Sequence, residues 1–213
     1  MVLAVVSGAT DAIGFLGLGG AFTSVMTGNM VLLGLGAGTG DGTLVTHALL
    51  AIAAFVSGCV VGARVAGTHQ AGDGVWPVAV TRALKVELGV LLVFAIGWEL
   101  TGASPSDAMQ LPLLAANAVA LGMQSSTTQR FGVSGLSTTY LTGTLTGVVI
   151  RLASGGSLHE AVDNTQILVA LVAGAVAGGA LTLHAPVCAP LVPVLGVAGV
   201  VAFVTRARLA SIT

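Results

Sequence analysis

Residues 17–29 read GLGGAFTSVMTGN, and residues 132–144 read GVSGLSTTYLTGT. When the two stretches are aligned at an offset of 115, glycine or threonine is identical at five positions: Gly17 and Gly132, Gly20 and Gly135, Thr23 and Thr138, Thr27 and Thr142, and Gly28 and Gly143. Identities of this kind at one fixed spacing predict an internal repeat.

The similarity continues beyond this motif. An offset of 116 places the small-residue row Gly58-xxx-Gly62 on Gly174-xxx-Gly178. We therefore divide the chain into a first half, residues 1–103, and a second half, residues 104–213, which together form one integrated membrane domain.

The composition indicates that the chain folds in a lipid bilayer rather than in water. Of the 213 residues, 55% are hydrophobic and only 7% are charged, whereas a soluble domain carries about a quarter of its residues as charged side chains. The net charge of −1 argues against binding to nucleic acid, and two cysteines do not make a disulfide framework. The chain is expected to be an integral membrane protein in contact with the lipid bilayer.

Six segments are long and apolar enough to be predicted as membrane spans. They are Met1 to about Gly19, Leu44 to Ala63, Leu84 to Leu100, Leu111 to Met123 with its polar continuation, Gln166 to Leu183, and Ala185 to Thr205. The first lacks the basic start of a signal peptide, so we expect it to be retained, and Thr10-Asp11 predicts a break at its middle. The fold class is all-α, a polytopic membrane helix bundle.

Two further segments, residues 20–38 and 135–154, are rich in threonine and glycine. They are too polar for lipid and too apolar for water, which predicts re-entrant or half-helical segments. Each half then crosses the membrane three times, and this odd number inverts the second half relative to the first, giving a 3+3 inverted repeat.

The basic residues favour this topology. With the N-terminus inside, all seven lysines and arginines fall on the cytoplasmic side, and the C-terminus is also inside. If the Thr/Gly segments crossed fully, Arg151, Arg206 and Arg208 would lie outside. Non-helical backbone at membrane depth needs protein or water around it, so the two segments are expected to meet near the midplane at a cavity.

Four motifs resemble those of the YoaK-like family of bacterial membrane proteins, a domain of unknown function (1275). They are Gly8-Ala-Thr-Asp11-Ala-Ile-Gly14-Phe, Thr27-Gly28-Asn29, Gly122-Met-Gln124 and Ser137-Thr-Thr-Tyr140-Leu-Thr142-Gly143-Thr144. The resemblance covers nearly the whole chain. It implies about six spans and a bacterial inner membrane, and it implies no activity. Its one departure is a short N-terminus, which lacks the polar or basic residues expected before the first span.

Asp11 is the acidic residue that we expect deepest in the membrane; the other seven acids, Glu87 included, are placed in loops or near span ends. A carboxylate at this depth is costly unless it is paired, hydrated or protonated. One interpretation is a proton or cation site. The other is a capping role, in which Asp11 accepts backbone N–H groups where a half-helix restarts after Gly8.

The Thr/Gly segments supply most of the candidate binding residues, and two interpretations remain open. On a helix, Thr23 and Thr27 would share a face, as would Thr138 and Thr142. In the first interpretation, the rows of small residues on these helices allow close helix packing. Alternatively, hydroxyls and backbone groups line a pocket for a polar ligand, with these members: Thr23, Thr27, Gly28, Asn29, Thr138, Thr142, Gly143 and Thr144.

An uncharged polar run ends the fourth span and contributes Gln124, Ser126 and Arg130 to the candidate site. Arg130 is interpreted either as a partner of Asp11 or of an anionic ligand, or as an anchor that extends to the cytoplasmic surface. Asn117 and Gln110 are weaker candidates of the same type.

No pattern for an enzyme is present: the sequence has no Walker A, Gly-x-Ser-x-Gly or HExxH motif, and its histidines lack metal-ligand spacing. We expect no cofactor and no metal. The leading hypothesis is a secondary transporter for a small molecule or ion, proton-coupled through Asp11. The alternatives are a passive channel and a scaffold or accessory subunit, for which the GxxxG helices would be partner surfaces, including those of a homo-oligomer.

Overall fold

The computed structural model describes residues 1–67, 76–130, 141–154 and 158–210. These ranges contain eight α-helices and no strand: α1 (Val2–Gly17), α2 (Met26–Thr39), α3 (Gly42–Ala66), α4 (Val78–Leu100), α5 (Asp107–Gln129), α6 (Leu141–Ala153), α7 (Leu158–His184) and α8 (Leu191–Ala210). A single 3-10 turn, Pro186–Cys188, precedes α8. The predicted all-α class is confirmed.

The outer face is apolar, as expected for a protein in lipid. Val93, Val176 and Phe203 are 66%, 66% and 74% exposed, whereas Asp11 and Glu87 are buried. By length and composition, three described segments could cross a bilayer: Gly42–Ala66, Asn164–His184 and Pro186–Ala210. The chain is therefore an integral membrane protein built as a helical bundle.

Helix α1 is continuous, so the predicted break at Thr10-Asp11 is wrong. The Thr10 hydroxyl lies 2.9 Å from the carbonyl oxygen of Val6 and 3.0 Å from that of Ser7, and thus bonds back to its own helix. The Asp11 side chain is bonded outside α1, as described below. Neither polar residue withdraws a backbone group from the helix.

Glycines set the closest helix contacts. A Cβ atom on Gly58 or Gly62 of α3 would overlap the backbone of α5 at Val119 or Met123. Only glycine lets two backbones approach so closely. The positions advance together along both helices, so α3 and α5 run parallel.

The second GxxxG row is used in the same way. A Cβ atom on Gly174 or Gly178 of α7 would overlap the backbone of α1 at Val5 or Ala9, so α1 and α7 also run parallel. Both GxxxG rows are therefore occupied by contacts inside one chain. The further pair Gly143 and Gly147 of α6 has nothing within 4 Å, so an oligomer through a GxxxG helix stays a prediction.

Helices α4 and α8 run antiparallel and are tied at both ends. The Trp98 indole near the end of α4 donates to the carbonyl oxygen of Pro186, before α8, at 2.9 Å. At the opposite end, the Arg208 guanidinium donates to the carbonyl oxygen of Trp76, just before α4. The apolar core lies between these helices, α1 and α5, and includes Val6, Leu84, Leu91, Leu121 and Val197.

Candidate functional site

The Asp11 carboxylate anchors the segment between α1 and α2. Its Oδ1 atom accepts the backbone N–H groups of Thr23 at 2.8 Å and Ser24 at 2.7 Å, and the Thr23 hydroxyl at 3.1 Å. Its Oδ2 atom lies 2.6 Å from the Ser24 hydroxyl. Asp11 therefore accepts two backbone N–H groups, as the capping interpretation expects, but from the next segment rather than from its own helix.

These contacts show that the chain turns back after α1. Asp11 lies six residues before the end of α1, or about 9 Å along the helix axis. Because Thr23 and Ser24 lie beside Asp11, the preceding residues must return by that distance before α2 begins at Met26. Helix α2 then runs antiparallel to α3, with Gly36 packed against Val45 across a two-residue connection.

Two further contacts hold this turn. The Asn29 side chain accepts the Phe22 N–H at 2.9 Å and donates to the Phe22 carbonyl oxygen at 2.7 Å. Gly19 has a φ of +84°, and the His47 ring occupies the space that a Cβ atom would need there. Asn29 thus fixes the backbone at Phe22, and Asp11 fixes it at the next two residues, Thr23 and Ser24.

Thr23 and Thr27 do not share a helix face, and this prediction is wrong. Thr23 is buried in the turn before α2, whereas Thr27 lies in the first turn of α2 and is exposed. Gly28 is half-buried against the Phe22 ring. Of the first-half candidates, the structure therefore brings together Asp11, Thr23 and, through Phe22, Asn29.

The second Thr/Gly segment is described only from Leu141 onward, and Thr138 lies outside the described residues. Thr142 and Gly143 are exposed at the start of α6, and Thr144 is buried. Within the described ranges α2 packs mainly on α3 and α6 on α7. Thr142 and Gly143 therefore lie on the outer face rather than in a shared interior pocket with Thr27.

The polar run at the end of α5 connects three helices. The Gln124 amide donates to the Leu3 carbonyl oxygen at 3.1 Å and to the Ser7 hydroxyl at 2.9 Å, both in α1. Ser126 bonds back to the Met123 carbonyl oxygen at 3.1 Å and packs against Gly62 of α3. Gln124 thus lies where the first helix of one half meets the first helix of the other.

Arg130 reaches the end of α3 instead of Asp11. Its guanidinium donates to the Ala66 carbonyl oxygen in the last turn of that helix and lies beside Gly67. A cation at a helix C-terminus is favourable because the last carbonyl groups carry partial negative charge. This contact fits the anchoring interpretation of Arg130.

Sequence reasoning missed one buried acid. Glu87 is fully buried, and neither of its carboxylate oxygens has a hydrogen-bond partner among the described residues. The span was predicted to begin at Leu84, which placed Glu87 near its end. The helix instead begins at Val78, after Pro77, so Glu87 is its tenth residue. A proline before the first helical turn was the signal that could have located the true start.

Buried polar atoms without a partner also mark α5. In the part of the chain that the structure describes, they are both side-chain atoms of Asn117, Gln124 Oε1 and Thr127 Oγ1. Asn117 and Gln124 are seven residues apart and share a helix face. Buried polar atoms normally find partners, so this face offers hydrogen bonds to a bound molecule.

The described residues also contain an apolar cavity, but no candidate metal site. A cavity of about 350 Å³ lies between Met1, Leu152 of α6 and Val169 of α7, with an almost wholly apolar lining. Among the described residues, no three histidines, cysteines or acids cluster as a metal site would require. The apolar cavity beside Met1 lies at the opposite end of α1 from the turn that Asp11 holds.

Comparisons with known proteins agree with this membrane architecture. The family model for "Protein of unknown function (DUF1275)" matches residues 1–204. Over 148 residues, the chain is 35% identical to the UPF0700 transmembrane protein YoaK of Bacillus subtilis (strain 168). The aligned region covers 70% of this chain and 63% of that relative. No solved structure matches. The chain therefore belongs to the DUF1275 family of YoaK-like membrane proteins.

Proposed function

We propose that this chain is a small secondary transporter of the inner membrane, in which two inverted halves of three crossings each move a small polar solute past a site at the interface between the halves. The main support is a set of buried polar atoms on one face of α5 that have no partner among the described residues: both polar side-chain atoms of Asn117 and the Oε1 atom of Gln124, whose amide nitrogen contacts α1. A packed scaffold gains nothing from buried polar atoms without partners, because each costs free energy.

The helix order supports an inverted repeat. Each half contains a first helix, a second helix of 14 or 13 residues and two helices of at least 20 residues, although the first helices differ in length, with 16 residues in α1 and 23 in α5. Shifting α2 by 115 residues gives 141–154, and α6 is Leu141–Ala153. Shifting α3 by 116 residues gives 158–182, and α7 is Leu158–His184. The repeat proposed from glycines and threonines therefore coincides with the helix boundaries.

The packing is also reciprocal. The third helix of each half pairs with the first helix of the other, as α3 with α5 and α7 with α1. The fourth helix of each half likewise packs on the first helix of the other, as α4 with α5 and α8 with α1. A two-fold relation between the halves accounts for both exchanges.

The helix directions support three crossings per half. The short helix of each half follows part of a Thr/Gly segment. In the first half, this part turns back beside Asp11 instead of crossing the membrane. Helices α1, α3, α4, α5, α7 and α8 then cross in alternate directions, in agreement with the parallel pairs and with antiparallel α4 and α8. Both termini are proposed to lie inside.

Within this proposal the candidate residues divide into two roles. Asp11, Thr23 and Asn29 hold the turned-back segment, and Gln124 with Asn117 supplies the polar face. The exposed Thr27, Thr142 and Gly143 lie on the outer face and take neither role. Proton coupling through Asp11, the hypothesis from sequence, competes with its role in holding the turn.

The test is flux in proteoliposomes. Purified protein is presented with a panel of neutral amino acids, sugars, monocarboxylates and monovalent cations, and electrogenic and radiotracer flux are recorded. We expect saturable flux of one class. Flux linear in solute concentration would instead indicate a channel, and no flux above empty liposomes for any class would overturn the proposal.

A matched pair of variants ties the flux to the site. Asn117→Leu removes an amide that has no partner, so it should leave the melting temperature unchanged or raise it, while flux falls at least tenfold. Gln129→Leu, at the exposed end of the same helix, should change neither. Equal flux in both variants would contradict the assignment of this face.

A further inference from the structure

Glu87 is buried within α4, away from both ends of the helix. It is about 14 Å from the first residue of α4 and about 20 Å from the last, in a helix of 23 residues. The exposed Arg82 and Lys85 precede Glu87 on α4, and the apolar run 88–98 follows it, so Glu87 lies on the membrane side of these two cations. An ionisable residue buried in a helix of a membrane protein is a functional candidate.

The carboxyl group faces the protein interior. Leu84, Glu87 and Leu91 follow a spacing of three and four residues along α4, and all three are at most 1% exposed. Val86 and Val93, on the opposite side of α4, are 42% and 66% exposed. Leu84 and Leu91 belong to the core that Val197 of α8 and Leu121 of α5 also form. Glu87 therefore lies between α4, α5 and α8 in apolar surroundings.

Among the described residues, no charged side chain is placed to compensate a charge at Glu87. The helices packed on α4 are α3, α5 and α8. Their charged and titratable groups are His47, Cys59 and Arg64 in α3, Asp107 and the adjacent Arg130 of α5, and Arg206 and Arg208 of α8. Of these, Cys59 alone packs against the same core, while those of α5 and α8 lie at helix ends. On α4 itself, Arg82, Lys85 and Glu99 are exposed.

A carboxylate without a partner in apolar surroundings is far more costly than the neutral acid. We propose that Glu87 is a proton-binding site of the helix core: it holds its proton in this conformation and releases it only when α4 separates from α5 and α8 and water reaches the carboxyl group. The proton site stands on the packing of α4, whereas its coupling to solute movement rests on the proposed transporter function.

A proton fits this site and a metal ion does not. Hard cations are bound by several oxygen atoms at once, and the carboxyl oxygens of Glu87 have no polar neighbour within hydrogen-bonding distance among the described residues. A proton needs only the carboxyl group itself. The ligand is therefore H⁺ rather than a sodium or calcium ion.

Infrared spectroscopy tests the proton site without any assay of transport. At neutral pH, the wild-type protein should show a carbonyl stretching band of a neutral carboxylic acid that Glu87→Gln lacks. Glu99→Gln, which changes an exposed acid of the same helix, should keep the band. A wild-type spectrum with the carboxylate bands of Glu87 and no neutral-acid band would overturn the proposal.

Thermal unfolding gives a second measurement. Because the folded state holds the neutral acid, it binds a proton that the unfolded chain releases at neutral pH, and raising the pH should destabilise the wild type relative to Glu87→Gln. Both proteins carry Cys59→Ala, so that the thiol does not contribute. Melting temperatures that change equally with pH in the two proteins would contradict the inference. Absence of any solute flux would remove the transporter proposal and leave these two readouts unaffected.

Discussion

The Asp11 carboxylate binds Ser24 twice: Oδ2 lies 2.6 Å from the serine hydroxyl, and Oδ1 accepts the serine N–H at 2.7 Å. With the two bonds from Thr23, four donors converge on one side chain. The carboxylate replaces the backbone acceptors that a helix would have supplied to these N–H groups. A charged group that is costly in lipid thus stabilises the irregular backbone beside it.

Replacing Asp11 should separate its structural role from proton coupling. Asp11→Ala leaves the buried N–H groups of Thr23 and Ser24 without an acceptor, at a cost of about 1–3 kcal/mol each, so the melting temperature in detergent should fall sharply. Asp11→Asn keeps Oδ1, and its amide can donate to the Ser24 hydroxyl, so we expect a loss of only about 1 kcal/mol.

Flux measured on Asp11→Asn then decides the second role. If the variant folds and solute still moves but no longer responds to a pH gradient, Asp11 carries the coupled proton. If it retains the pH response, Asp11 acts only on structure. A stable Asp11→Ala protein would show that the turn does not depend on the carboxylate.

The glycine contacts predict a matched set of substitutions. Gly58→Ala and Gly174→Ala each place a Cβ atom into the backbone of the neighbouring helix, so the helices must separate, at a cost of about 1–3 kcal/mol. Gly34→Ala in α2 has nothing within 4 Å and should be neutral or stabilising by up to about 1 kcal/mol. Reversible unfolding in mixed micelles measures all three. Equal effects at Gly58 and Gly34 would mean that α3 and α5 do not pack as described.

The proposed topology can be tested at the end of α2. If the first Thr/Gly segment turns back, Thr39 lies on the external side; if it crosses fully, Thr39 lies inside. We expect Thr39→Cys to react with an impermeant thiol reagent added outside intact cells, in a protein in which Cys59 and Cys188 are replaced by alanine. Ser104→Cys, in the exposed connection between α4 and α5, is the external control. Labelling of Ser104→Cys alone would exclude the re-entrant arrangement.

Much of the bundle could be predicted from hydropathy and the rows of small residues. Helices α3, α7 and α8 include most of their predicted spans because long apolar runs have few alternatives in lipid. The small-residue rows at Gly58 and Gly174 were correctly singled out, although their partners inside the chain were not predicted. Composition shows that a helix is apolar, but it does not show which neighbour the helix meets.

The candidate site was harder to predict because its contacts are not periodic. Asp11 bonds residues 12 and 13 positions later in a segment without regular structure, and no helix or strand pattern encodes that spacing. Glu87 was predicted to lie near a span end because Arg82 and Lys85 lower the hydropathy of the first turns of α4. Both side chains are exposed, so the helix continues beyond the apolar run that hydropathy detects.

The pairing of α1 with α7 has a consequence for biosynthesis. Gly8 meets Leu171, so the main partner of α1 is made more than 160 residues after it, and α1 enters the membrane before that partner exists. The donors for Asp11, by contrast, follow it within 13 residues. The nascent chain can therefore supply the partners of the Asp11 carboxylate almost as soon as that side chain leaves the ribosome. Helix α1 can then remain in the bilayer until α7 of the second half has been synthesised and inserted.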